Sequence, residues 1–180
     1  MSRSTVFPGL HTPGAGFDQP FEMLAACHDR VRRSLQLLQR LVEHLLASGA
    51  DAMAQDAARD VLRYFTMAAP AHHEDEERHV IPLLLASAEP RAHAAAERML
   101  DDHAEIRSAW QQLEPLLQQV ADGRLPAMAE LQAAAERFGD VHRDHLRLED
   151  EFAFPQARDR IGADLATLAA MGEEMAARRR

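Results

Sequence analysis

Two eleven-residue strings in this 180-residue chain share one layout. The runs from His72 to Pro82 and from His145 to Pro155 both read H-x-x-x-E-x-x-x-x-x-P, and the second is displaced by 73 residues at all three fixed positions. A second pair echoes the first. His28, in Cys27-His28-Asp29-Arg30-Val31, and His103, in Asp102-His103-Ala104-Glu105-Ile106, lie 75 residues apart. The chain therefore reads as a duplicated helical hairpin in which each half supplies His, His and Glu. Residues at i and i+4 share one helix face, about 5–6 Å apart at Cβ. Four imidazoles and two carboxylates brought into one core are a metal site before they are anything else.

The periodicity places these residues inside. One helical stripe runs Phe21, Leu24, His28, Val31, Leu35, Leu38, Val42, Leu45, and another runs Ala96, Met99, His103, Ile106, Trp110, Leu113, Leu117, Val120. Both alternate steps of three and four, the pattern of an inward face in a left-handed bundle. The second and fourth helices give Leu62, Phe65, Ala69, His72, Glu76, His79, Leu83 and Leu131, Ala135, Phe138, His142, His145, Glu149, Phe152. By the same reasoning His73 and Glu77, about 100° off the stripe, belong to the surface with Glu74.

Breakers at residues 47–51, 87–90 and 121–126 separate four long helical patterns, and short connections make consecutive helices antiparallel neighbours. Only eight Gly, one Tyr and one Trp occur in an Ala- and Leu-rich chain, which favours helix over sheet. The expected class is all-α: an up-down antiparallel four-helix bundle over 19–156. A loop-like N-terminal arm over 1–18 precedes it, and an extra C-terminal helix over 157–180 packs on it. Pro82 and Pro155 should end or kink their helices beyond the site, and Pro70 should bend the second helix near it.

The bulk numbers exclude several classes. A formal charge of −9 argues against nucleic acid as a partner. A single cysteine rules out an internal disulfide framework and suits a reducing compartment. No apolar run approaches the roughly 20 residues that span a bilayer, and the first residues lack a signal-peptide stretch. The expectation is a soluble, cytoplasmic protein without a membrane partner; oligomeric state is not legible.

Burying unpaired carboxylates costs several kcal/mol each, so positive charge must accompany them. A glutamate offers one oxygen to each of two ions, and two bridging carboxylates hold a pair about 3.5–4 Å apart. Imidazole and carboxylate favour iron, with manganese or zinc as alternatives.

The pattern H … H-x-x-x-E … H … H-x-x-x-E, with Pro shortly after each Glu, resembles the hemerythrin-like HHE cation-binding family over about residues 20–160. The resemblance implies a four-helix bundle around a non-haem di-iron centre of Fe–O–Fe type. Its ligands would be His28, His72, Glu76, His103, His145 and Glu149. Oxygen-carrying members have a second His four residues after the one on the third helix; here Arg107 stands there. Six protein ligands are expected instead of seven, with room on both ions. The function implied is binding or sensing of dioxygen, or of nitric oxide or peroxide. The alternative is a redox enzyme that removes peroxide or reduces nitric oxide.

Ferritin-like oxidation fits less well. It needs Glu-x-x-His on two helices, and Glu76 with His79 is matched by Phe152 on the fourth. Secondary candidates are His79 and His142 as extra ligands, proton relays or core histidines, Tyr64 as a packing residue within reach of the site, and Cys27 as a buried thiol. Met23, Met53, Met67, Met99 and Met128 read as core. His11, His44 and His93 have no evident partner.

Overall fold

The computed structural model describes residues 16–179; the arm expected over 1–18 lies outside this range except for its last three residues, and His11 lies outside it altogether. Every regular element among the described residues is helical. We number them α1 (Pro20–Ser48), α2 (residues 52–85), α3 (Pro90–Ala121), α4 (residues 128–161) and α5 (Leu165–Ala177). Packing runs from α1 to α2, α2 to α3 and α3 to α4, and α4 returns to α1, which closes a helical bundle. The breaks fall at or beside the breaker segments. Gly49, at φ 72°, ends α1 with its N–H on the Leu45 carbonyl, a backbone conformation that costs glycine little. The Asp51 carboxylate then caps α2 by accepting from the Ala54 N–H at 2.9 Å.

Neither Pro82 nor Pro155 ends its helix. Each stands two residues past a π turn, over Glu76–Val80 and Glu149–Ala153, and Pro70 stands likewise after Tyr64–Ala68. In these turns the N–H groups of Ala69, Ile81 and Phe154 reach back five residues, to the carbonyls of Tyr64, Glu76 and Glu149. Proline has no N–H and crowds the carbonyl four residues back. The widened turn relieves that crowding, and the helix continues. As a result α4 extends to Ile161, so residues 157–161 belong to it and the last helix begins at Leu165.

A π turn also inserts one residue into the buried stripe. After Glu76 the buried positions are Val80, Ile81 and Leu84; after Glu149 they are Phe152, expected on the stripe, with Ala153, Phe154 and Ala157. His79, expected on the stripe, is rotated away and pairs with Glu174 of α5 at 2.6 Å. Met53 and Met67, expected in the core, are 69 % and 71 % exposed.

The apolar core is cut in two. One cluster reaches Val31 on α1, Ala69 on α2, Ile106 on α3 and Leu146 on α4. The other resumes at Cys27, Val80, Met99 and Phe152 on the same four helices. Between them lies a layer of buried polar side chains: His28, His72, His73, Glu76, His103, His145 and Glu149.

Helix α5 closes the far end of the second cluster with Met171 and Met175. Its Gly172 lies so close to residue 17 that an added Cβ would stand 1.7 Å from the Phe17 carbonyl oxygen. An ionic latch holds this helix to α2. The fully buried Asp75 carboxylate takes the guanidinium groups of both Arg178 and Arg179, while Glu174 takes His79 and Arg78. Replacement Asp75→Asn should cost about 1.5–3 kcal/mol, the range for hydrogen bonds to charged groups. Amide exchange should accelerate selectively in Leu165–Ala177; unchanged protection there would show that the latch does not hold the helix.

Candidate metal centre

All six residues singled out from the sequence meet in the polar layer. The Glu76 carboxylate spans it: Oε1 lies 3.0 Å from His72 Nε2 and 3.7 Å from His28 Nε2, and Oε2 lies 3.3 Å from His103 Nε2. Glu149 does the same from α4, with Oε1 3.1 Å from His145 Nε2 and Oε2 3.2 Å from His28 Nε2. Each carboxylate thus turns one oxygen to each side. The i to i+4 spacing on one helix makes the His72–Glu76 and His145–Glu149 contacts local; packing of α1 and α3 brings in His28 and His103.

His73 corrects the sequence reading. It is 8 % exposed, not on the surface, and its ring stacks on His103 with centroids 4.3 Å apart. The inward line of α2 passes between His72 and His73 as it steps from Ala69 to Glu76, so both rings enter. Two donor groups result among the described residues, each with ligand atoms within 4.8 Å of one another: His28, His72, Glu76 and Glu149, and His73, Glu76, His103 and His145. The position four after His103 does hold Arg107, but an imidazole from the neighbouring helix occupies that side of the layer. Glu77, also expected at the surface, is half-buried and accepts from His103 Nδ1 at 2.8 Å. Glu74 is exposed as expected.

A cation fits this donor set. The Nε2 atoms of His28, His72, His103 and His145 and all four oxygens of Glu76 and Glu149 are buried without a hydrogen-bond partner, although they stand at ion-pair distance from one another. Buried polar atoms are rarely left so. Electrostatics agree. Burial pulls the His28 imidazole down, but Asp150, Glu149 and Glu76 outweigh it and push it up to about 11. His72 is likewise pulled down by burial yet pushed up to about 10, first by Glu76. Burial would raise Glu76, yet His72, His103 and His28 hold it well below the usual carboxylate range. His73 is the exception: burial and the neighbouring His103 hold it far below the ordinary imidazole value, so it presents a lone pair. The layer favours positive charge at its centre, whether carried by protons or by metal.

The other candidates are more ordinary. The Tyr64 hydroxyl donates to the Cys27 carbonyl at 3.5 Å, and its ring packs edge-on against Phe65. Cys27 is buried with Sγ 3.7 Å from Met23 Sδ. His44 pairs with Asp51 at 3.0 Å and His93 with the Ser87 carbonyl at 2.8 Å. His142 is buried between Phe65 and Phe138, with Nδ1 donating to the Phe138 carbonyl at 2.8 Å.

A helical bundle whose core is interrupted by converging imidazoles and carboxylates defines a cation-binding helical protein. Residues 19–157 match the hemerythrin HHE cation binding domain, and the chain belongs to that family. It is also 31 % identical over 166 residues to a Haemophilus influenzae protein described as uncharacterized, spanning 92 % of both chains. No helix among the described residues is long and apolar enough to cross a membrane.

Burial holds the His142 imidazole down, to about 4. The unfolded chain takes up this proton near 6.5, so acid favours unfolding between those values. The stabilisation is complete above 6.5 and is lost as pH falls toward 4, amounting to about 3 kcal/mol. Urea unfolding of chelator-treated protein at pH 7.5 and pH 4.5 should show this extra acid loss in the wild type and not in His142→Leu. Equal losses in both would assign the acid sensitivity elsewhere.

Proposed function

We propose that this chain is a non-haem di-iron protein that binds or senses dioxygen or a related small molecule, nitric oxide or peroxide, at an open iron position. The six residues read from the sequence, His28, His72, Glu76, His103, His145 and Glu149, are its ligands, and His73 is a seventh. The same reading takes 19–156 as an up-down antiparallel four-helix bundle, with an arm before it and a covering helix after it. The observation that carries the proposal is the shared use of Glu76 and Glu149, each with one oxygen toward either donor group. Carboxylates in that attitude bridge two ions, and imidazole-rich donors suit iron.

His73 bears on the choice between binding and turnover. One ion would have five protein donors, three imidazoles and both carboxylates. The other would have four, from His28, His72 and the same carboxylates. Room for an outside ligand is then concentrated on the ion beside His28 and His72. That inequality favours reversible binding over peroxide removal or nitric-oxide reduction, which profit from two adjacent open positions. The iron, when bound, supplies the redox change. The protein would supply a dry core, fixed imidazoles and two negative charges that offset part of the cations' charge.

Loading with ferrous iron without oxygen should give two ions per chain and raise the melting temperature, since ligands that bind only the folded form stabilise it. Oxidation followed by azide should shift the near-ultraviolet and visible absorption. His73→Ala should weaken one ion and leave the other. A chain that melts identically with and without chelator and takes up no iron would end the proposal.

A further inference from the structure

The partners outside the polar layer repeat with the duplication. Arg32 stands four residues after His28, and Arg107 four after His103. Asp150 directly follows Glu149, and Glu77 directly follows Glu76. In space these residues form two equivalent chains. His28 Nδ1 donates to Asp150 Oδ1 at 2.7 Å, and the other Asp150 oxygen takes Arg32. His103 Nδ1 donates to Glu77 Oε1 at 2.8 Å, with Arg107 3.5 Å from that oxygen. The pairing crosses between the halves: the carboxylate that follows one half's ligand glutamate supports the other half's imidazole. Arg32 and Arg107 are 44 % and 59 % exposed, so each chain runs from a fully buried ring to solvent.

An imidazole whose Nδ1 keeps its proton in such a bond presents the Nε2 lone pair to the other side. In both rings Nε2 is the atom facing Glu76. The remaining supports have diverged. Arg98 and Asp102, with Asp102 3.7 Å from His145 Nδ1, stand where the first half has Met23 and Cys27 beside His72. The two cation positions are therefore chemically distinguishable, while the carboxylates on His28 and His103 are their common element.

We propose that Asp150 and Glu77 are positioning residues, each dedicated to one cation: Asp150 fixes the tautomer and aim of His28 for the ion it shares with His72, and Glu77 does so for His103 and the ion it shares with His73 and His145. A role confined to tying helices together would weaken the fold, or both positions alike. Dedicated positioning weakens one ion and spares the other.

The inference rests on the metal reading above, and the test separates the two. Cobalt(II) is titrated into metal-free protein and followed by its visible bands and by calorimetry. Wild type should take up two ions. Asp150→Ala and Glu77→Ala should each keep one ion at wild-type affinity and weaken the other about 10- to 100-fold, the usual effect of losing such a partner. Asp150→Asn, which retains an acceptor oxygen, should recover most of the loss. Combining Asp150→Ala with His28→Ala should add nothing to the His28 loss, whereas combining it with His73→Ala should impair both ions. Metal-free variants should keep the helical fold and a cooperative melt, somewhat lower than wild type because each loses one hydrogen bond to a buried imidazole; the discriminating readout is which ion is weakened. Two ions in wild type with both equally weakened by either variant, or with neither weakened, would overturn the positioning role alone. Fewer than two ions in wild type would overturn the metal reading and this inference with it.

Discussion

Everything in this molecule is arranged around two glutamates that have no business in an apolar core unless positive charge meets them there. Glu76 and Glu149 are fully buried, and their four oxygens face imidazole nitrogens without forming hydrogen bonds. Isolated ionised carboxylates in such surroundings cost many kcal/mol. The imidazoles can answer by holding protons, as the raised His28 and His72 values indicate, or by yielding them to cations. Either way positive charge meets the two carboxylates, and the layer is the reason the apolar core comes in two pieces. The apolar clusters hold the helices; the layer holds the chemistry.

Proline and the π turn act together to set the geometry of that layer. Both ligand glutamates open a π turn, and a proline follows six residues later in each half. The extra residue in the turn rotates everything after the glutamate by about one position. That shift sends His79 out to meet Glu174 on α5 and brings Val80 inward. A third π turn, over Tyr64–Ala68, occurs in α2 alone, since α4 is regular over the equivalent stretch. The two halves are thus duplicates at the glutamates and differ on the approach to the histidines, where α2 carries the adjacent pair His72 and His73.

That difference gives the family membership its particular content. The chain belongs to the hemerythrin HHE cation-binding group, whose domain binds metal cations, and the donor groups suit such a site. The two donor groups are unequal: the imidazole of His73 stacks against His103 on one side, and on the other the ring of Phe154, which has no donor atom, stacks against His28. The outer carboxylates Asp150 and Glu77 are symmetric, while Cys27 and Asp102 are not. In the proposed di-iron reading, asymmetry of this kind would let one cation serve as an anchor and leave its neighbour accessible to a small ligand.

Much of this was legible in the one-dimensional pattern. Helicity, the duplicated hairpin and the inward placement of His28, His72, Glu76, His103, His145 and Glu149 all follow from local rules. Steps of three and four mark a buried face, and a spacing of four puts two side chains together. What tertiary structure alone decided lies where those rules change along the chain. A π turn alters the period by one residue, and period counting with a fixed step therefore kept His79 on the stripe and left His73 outside it. The prolines inside an otherwise unbroken helical pattern were the available signal. The support of His28 by Asp150 and of His103 by Glu77 lay further out of reach, because those partners are 122 and 26 residues apart and meet only when the helices pack. Local periodicity chose the side chains that enter the core; helix packing chose which of them face one another.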